Sequence, residues 1–175
     1  MQKFLLVIDM QKDFIDGALG SAEAQSIVNR VANRIHEATA EGRTLLFTQD
    51  THEDGYLATS EGRHLPVPHC LRGTAGWQLH ETIAPYSAQT IEKPSFGSPE
   101  LIERLQTVAE DGGANLDITL CGLCTDICVV TNALMIRGHF PEATLRVYAD
   151  SCAGVTKARH DAALEVMRAC HVAVE

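Results

Sequence analysis

The sequence lacks a long hydrophobic run and is poor in positive charge. Its longest uncharged apolar-rich stretch, Ile127–Ile136, falls well short of the roughly 18 residues that a membrane-crossing helix requires. Lys and Arg number 14 against 23 Asp and Glu, a formal net charge of −9. That balance argues against nucleic acid or an anionic membrane as the main partner. The run Phe4–Ile8 ends at Asp9 after too few residues to be the apolar core of a secretion signal, and it reads as a first buried strand. Internal repeats, low-complexity tracts and linker-like stretches are also missing, so residues 1–175 read as one domain.

The remaining composition suits a packed protein. Hydrophobic residues make up 45% of 175, enough for a full core. The six cysteines (70, 121, 124, 128, 152 and 170) form no necessary disulfide framework in a chain of this length without an export signal. They read as free thiols of a cytoplasmic protein.

Short apolar runs alternate with helical patterns along the chain. Strands are expected at 4–9, 44–48, 90–93, 116–121, 144–148 and 172–174. Ser21 is a fitting N-cap for a helix whose buried stripe is Ile27, Val31, Ile35 and Ala38, closed by Gly42. Ser98-Pro99 opens another, with Leu101, Ile102, Leu105 and Val108 as its stripe. Two more helices are expected, one after Gly122 that stops at Gly138 and one over about 156–169. Residues 51–88 read as a long irregular insertion, and loops of that length are usually functional. The alternation predicts an α/β fold: a three-layer α/β/α sandwich around a doubly wound, mainly parallel six-stranded sheet. In such sheets ligands bind beyond the carboxyl ends of the strands.

Those ends carry the chemistry-bearing residues. Asp9 follows strand one, Asp50 and His52 follow strand two, Lys93 ends strand three, and Gly122–Cys128 follow strand four. Thr125 or Asp126 is expected to cap the helix that follows Gly122, placing Cys128 in a first turn where the dipole favours thiolate. A buried apolar role for Cys128 is the alternative. The spacing Cys121-x-x-Cys124-x-x-x-Cys128 also admits a metal cluster, but lacks the paired knuckles of a zinc ribbon. Asp50, His52, Glu61, His64 and His69 offer mixed nitrogen and oxygen ligands, which suit Zn²⁺, Fe²⁺ or Mn²⁺ better than Ca²⁺.

The chain resembles the isochorismatase-like cysteine hydrolase superfamily, and within it the bacterial nicotinamidases. The residues that carry the resemblance are Val7-Ile8-Asp9-Met10-Gln11-Lys12-Asp13-Phe14, Thr48-Gln49-Asp50-Thr51-His52, Pro68-His69-Cys70 and Gly122-Leu123-Cys124-Thr125-Asp126-Ile127-Cys128-Val129. The resemblance implies a triad of Asp9, Lys93 and Cys128, with Cys128 as nucleophile. It implies a cis peptide bond between Leu123 and Cys124 and an oxyanion hole made by the N–H groups of Cys124 and Cys128. It implies metal ligands Asp50, His52 and His69, with Glu61 as the fourth and His64 in reserve, and zinc ahead of iron or manganese. Where many nicotinamidases carry a tryptophan before Pro-His-Cys, this chain has Leu65-Pro66-Val67; Phe14 and Phe96, and after them Trp77, are the candidates for aromatic walls around a substrate.

The implied reaction is nicotinamide hydrolysis to nicotinate and ammonia through a cysteine thioester, in a homo-oligomer whose partner is a small-molecule amide. Two alternatives stand beside it. One is a metal-independent amidohydrolase of the same superfamily acting on a carbamoyl or ureido compound. The other is a non-catalytic thiol- or metal-sensing module.

Overall fold

The computed structural model describes all residues, Met1–Glu175. Its centre is a six-stranded, all-parallel sheet: β1 (Gln2–Ile8), β2 (Thr44–Asp50), β3 (Thr90–Lys93), β4 (Leu116–Leu123), β5 (Thr144–Ala153) and β6 (Ala173–Val174), in the order β3-β2-β1-β4-β5-β6. The central strands β1 and β4 are apolar along nearly their whole length because both faces are covered.

The helices are α1 (Lys12–Ile15), α2 (Ala22–Ala40), α3 (Ser60–His64), α4 (Pro99–Gln106), α5 (Val130–His139) and α6 (Lys157–Ala169). From β1 the chain winds outward to β2 and β3, then returns to β4 and winds the other way. Right-handed crossovers therefore send α2 to one face of the sheet and α4, α5 and α6 to the other, where these three form one contiguous layer. No helix is long and apolar enough to cross a membrane.

The expected caps appear where the side-chain chemistry is local. Ser21 and Ser98 accept from the N–H groups of Ala24 and Leu101, and Gly42 takes φ +69° after α2. Four expectations are corrected. Strand β5 runs on to Ala153, beyond 148. Gly138 lies inside α5, which stops at His139 before Phe140 turns inward. Val108 lies past the end of α4 yet still packs on the core. The insertion 51–88 is not structureless: it holds α3 and short 3₁₀ turns at Tyr56–Ala58 and Ala84–Tyr86.

The direction of winding reverses between β1 and β4, where Ile8 lies beside Gly122. A Cβ on Gly122 would stand 2.1 Å from the carbonyl oxygen of Ile8, and its φ is +119°. Only glycine fits there. The close approach sets the chain after β1, beginning at Asp9, against the chain after β4, which leads to Cys128.

Candidate active site

Asp9, Lys93 and Cys128 meet at that switch point, all three buried. Lys93 Nζ donates to Asp50 Oδ1 (3.1 Å), the carbonyl of Ser95 (3.1 Å) and Cys128 Sγ (3.4 Å). Asp9 Oδ2 lies 2.7 Å from the same Nζ, a buried ion pair and the shortest of these contacts. The Cys128 thiol also lies within hydrogen-bonding reach of Asp9.

Burial weakens the acidity of both partners. It pushes the Asp9 carboxyl up, against the downward pull of Lys93. It pushes the Cys128 thiol well up, and the negative charge of Asp9 adds to this against the ammonium's opposing pull. Burial works against the charged form of Lys93, but the surrounding anions overcome it and hold the ammonium well above its ordinary range. The expectation of a dipole-lowered thiol at Cys128 is therefore corrected. Desolvation is the largest influence on the thiol, and it works against the charged form.

Thr48 fixes the Asp9 carboxylate. Asp9 has φ +46°, a left-handed conformation rare for a residue with a side chain. Its N–H donates to Thr48 Oγ1 (3.2 Å), and the same hydroxyl donates to Asp9 Oδ1 (2.6 Å). One buried threonine thus holds both the backbone and the carboxylate.

The segment carrying Cys128 is a single π-helical turn, Thr125–Val129, continuous with α5. Neither Thr125 nor Asp126 caps it. The Cys124 carbonyl takes the N–H groups of both Ile127 and Val129, Thr125 Oγ1 pairs with His160 Nδ1 (2.8 Å), and Asp126 accepts from the N–H of Val155. The Leu123–Cys124 peptide is cis, as the resemblance implies. The Cys124 N–H finds no hydrogen-bond acceptor in the chain. Asn132 ties the turn to its neighbours, donating to the carbonyls of Cys128 (2.8 Å) and Phe96 (3.1 Å). All six cysteines are free thiols, and Cys121 is buried in the sheet, apart from any ligand cluster.

Beside the triad, Asp50, His52, Glu61 and His69 bring one ligand atom each to within 4.8 Å of one another. His52 Nε2 lies 2.9 Å from Asp50 Oδ2, and His69 Nε2 lies 3.6 Å from both Asp50 Oδ2 and Glu61 Oε1. The set fits a divalent transition metal on three observations. The buried His52 Nε2 has no hydrogen-bond partner. His69 Nδ1 donates to the carbonyl of Val67 (2.8 Å), which leaves the Nε2 lone pair facing the cluster, the usual outer support of a metal-bound imidazole. Two imidazoles with two carboxylates is also a donor set that zinc accepts. His64 is outside the cluster, its Nδ1 donating to the carbonyl of Ser60 within α3, whereas Glu61 is one of the four residues that converge.

Sequence reasoning missed what holds this cluster. Gln11 is fully buried; its Oε1 accepts from the Asp50 N–H (2.7 Å) and its Nε2 donates to the carbonyls of Asp50 and Trp77 (2.8 Å each). Asp13 Oδ2 accepts from the N–H of Cys70 (2.8 Å), next to His69. Tyr56 packs its ring against His52 and His69, with centroids 4.7 and 5.0 Å away. The only available signal for Gln11 and Asp13 was their place in the run from Asp9 to Phe14.

A cavity of about 680 Å³ opens onto Cys128, Cys124, Asp50, Glu61 and His69. Phe14 and Phe96 both line it, and so does Leu65, in the stretch where a tryptophan was absent. Trp77 does not line it; its indole N–H donates to Thr51 Oγ1 (2.9 Å), a structural role.

Comparison with known proteins adds a family to this geometry. The isochorismatase domain matches residues 3–175. The isochorismatase family protein PncA of Bacillus subtilis is 29% identical over 143 residues, covering 77% of this chain and 78% of that protein. The nicotinamidase/pyrazinamidase of Mycobacterium tuberculosis is 26% identical over 183 residues, covering 96% and 95%. The pyrazinamidase of Pyrococcus horikoshii, solved in complex with zinc, superposes with a TM-score of 0.81 at 26% identity over 100% of this chain and 99% of that one. The match runs through every strand that delivers a site residue and on to the chain's last residue, and this protein belongs to the isochorismatase domain family.

Proposed function

We propose that the protein is a nicotinamidase, converting nicotinamide and water to nicotinate and ammonia through a thioester on Cys128. The observation that carries this reading is the position of Lys93. Its ammonium touches Asp9 and Cys128 on one side and Asp50 of the four-ligand cluster on the other, so nucleophile and cluster share one cavity. The named functions of two relatives, the nicotinamidase/pyrazinamidase and the zinc-containing pyrazinamidase, support it.

The chain's residues supply the following chemistry. Asp9, made more basic than an ordinary carboxylate by burial, takes the Cys128 proton as sulfur attacks the carboxamide carbon. Lys93 stays an ammonium and steadies the anionic charge that passes between carboxylate and sulfur. The N–H groups of Cys124 and Cys128 receive the oxyanion; a donor of this kind is worth roughly 3–4 kcal/mol. Protonated Asp9 then gives its proton to the departing nitrogen, releasing ammonia and leaving the thioester. As a base again, Asp9 takes a proton from water, which attacks the thioester carbonyl and frees nicotinate and the thiol. A divalent metal held by Asp50, His52, Glu61 and His69, zinc in the first instance, would supply a Lewis-acid site for the pyridine nitrogen.

The test is ammonia release from nicotinamide before and after chelation, with Cys128→Ala as the blank. Chelator-sensitive release that requires Cys128 is expected. Absence of release from folded, metal-replete protein, with turnover of a carbamoyl or ureido compound instead, would overturn the nicotinamide assignment.

A further inference from the structure

Of the ten arginines, Arg159 alone makes no hydrogen bond or ion pair through its side chain. The carboxylates close to it in the fold are engaged elsewhere. Asp161 pairs with Lys157, and Asp126 accepts from the Val155 N–H. An unpaired guanidinium is conspicuous in a protein of net charge −9. Arg159 lies in the first turn of α6, and it lines the same cavity as Cys128.

The other titratable side chains of that wall divide by place. Asp50, Glu61 and His69 belong to the metal-type cluster, and His64 lines the wall with its Nδ1 bonded to the carbonyl of Ser60. Phe14, Phe96, Ile127 and Val155 make apolar surface. A bare pyridine carboxamide has contacts waiting at the cysteine, the cluster and the phenylalanines, but none that needs an arginine. The volume of about 680 Å³ lies well inside the range of roughly 300–1,000 Å³ that encloses drug-sized ligands, so there is room for a further substituent. A planar guanidinium without a partner is built to take a carboxylate or phosphate through two parallel bonds.

We propose that Arg159 is a specificity-determining residue of this cavity, and that it selects an aryl carboxamide carrying a second, anionic group. The proposal rests on the amidase reading above and goes beyond nicotinamide, which reacts by the same route but lacks the group that Arg159 selects. The amide end meets Cys128 and the aryl ring packs between the apolar walls. The anion reaches Arg159 at the mouth, where the guanidinium is exposed. Selection arises because the neutral analogue leaves the guanidinium in water, whereas the anion gains a charge-assisted contact.

The experiment compares nicotinamide carrying a carboxylate on ring carbon 5 with its methyl ester, using kcat/KM on the metal-loaded enzyme. The wild type is expected to prefer the acid. In Arg159→Gln the acid-to-ester ratio should fall about tenfold or more, and Arg159→Lys should retain part of it. The ester serves as the internal control for folding. An unchanged ratio in Arg159→Gln overturns the proposal. So does a shift in sedimentation coefficient in that variant with the ratio intact, which would assign the arginine to a subunit contact. If neither compound nor nicotinamide is turned over, the nicotinamidase reading fails separately. Calorimetric binding of pyridine-3,5-dicarboxylate and its monomethyl ester to Cys128→Ala, with and without Arg159→Gln, then decides. An arginine-dependent preference for the diacid supports the proposal, and its absence overturns it.

Discussion

The two halves of the site are held in different ways. Asp9, Lys93 and Cys128 stand at the ends of strands or on the turn that follows one, within the core, where the Lys93 ammonium sits between carboxylate and sulfur and Thr48 holds Asp9. Asp50, His52, Glu61 and His69 depend on the chain after β2, and their polar atoms converge without closing. His52 Nε2 has no hydrogen-bond partner, and burial together with the charge of Asp50 pushes the Glu61 carboxyl up. Asp50 joins the halves, giving Oδ1 to Lys93 and turning Oδ2 toward the imidazoles. The first half has a cation of its own in Lys93, whereas the second gathers two carboxylates and two imidazoles with no side-chain ammonium or guanidinium among them.

Cys128→Ala should break the first half most severely, lowering amide turnover by about 10⁴-fold or more. Its melting temperature should change little, because a small buried side chain is lost without a charge being stranded; a cooperative loss of structure would contradict this. Asp9→Asn should also abolish turnover, but with an opposite effect on the thiol. Burial and then the Asp9 charge raise the Cys128 pKa, so removing that charge lowers it and frees Lys93 to pair with thiolate. Iodoacetamide should therefore alkylate Cys128 faster in Asp9→Asn than in the wild type at pH 8. Slower alkylation would refute this account of the charges.

The second half should yield to different changes. His52→Ala should strip the metal and raise KM for nicotinamide by roughly 10–100-fold, while His64→Ala should keep its metal content, as plasma emission on the purified proteins would show. Equal losses in the two variants would erase the distinction drawn between cluster and pocket wall. The smallest effect is expected at Gln11→Leu, which leaves the buried N–H of Asp50 unpaired. About 1–3 kcal/mol of stability should be lost, measured by urea unfolding, together with some metal affinity. Undiminished stability would show that the clamp is dispensable.

Much of this was legible from residues whose chemistry is local. Ser21, Gly42 and Ser98 announce helix ends because a cap or a left-handed turn needs a particular side chain at one place in the chain. Asp9, Lys93 and Cys128 could be gathered because parallel strands deliver their carboxyl ends to one edge. Thr48, Gln11, Tyr56 and Asn132 could not. A neutral polar side chain has no distinguishing reactivity, and each acquires its role from a partner distant in sequence, as Thr48 and Gln11 do across 39 residues. The capping role expected for Thr125 or Asp126 failed for the same reason: His160 and the Val155 backbone claim those side chains first. The lowered thiol pKa expected at Cys128 runs against the upward push of burial, which a position in the sequence does not reveal.

The sequence by itself determined the strand and helix order, the mainly parallel winding that follows from it, and the residue types that reach the carboxyl edge of the sheet. Period, caps and strand-helix alternation are local, and topology rules carry them to the level of the fold. Only the tertiary structure brought Glu61 and not His64 into the cluster, excluded Trp77 from the cavity, buried Cys128 beside Asp9, and left Arg159 facing the same cavity without a partner. Each of those outcomes depends on distance and desolvation between segments far apart in the chain, and both are fixed only when the core closes.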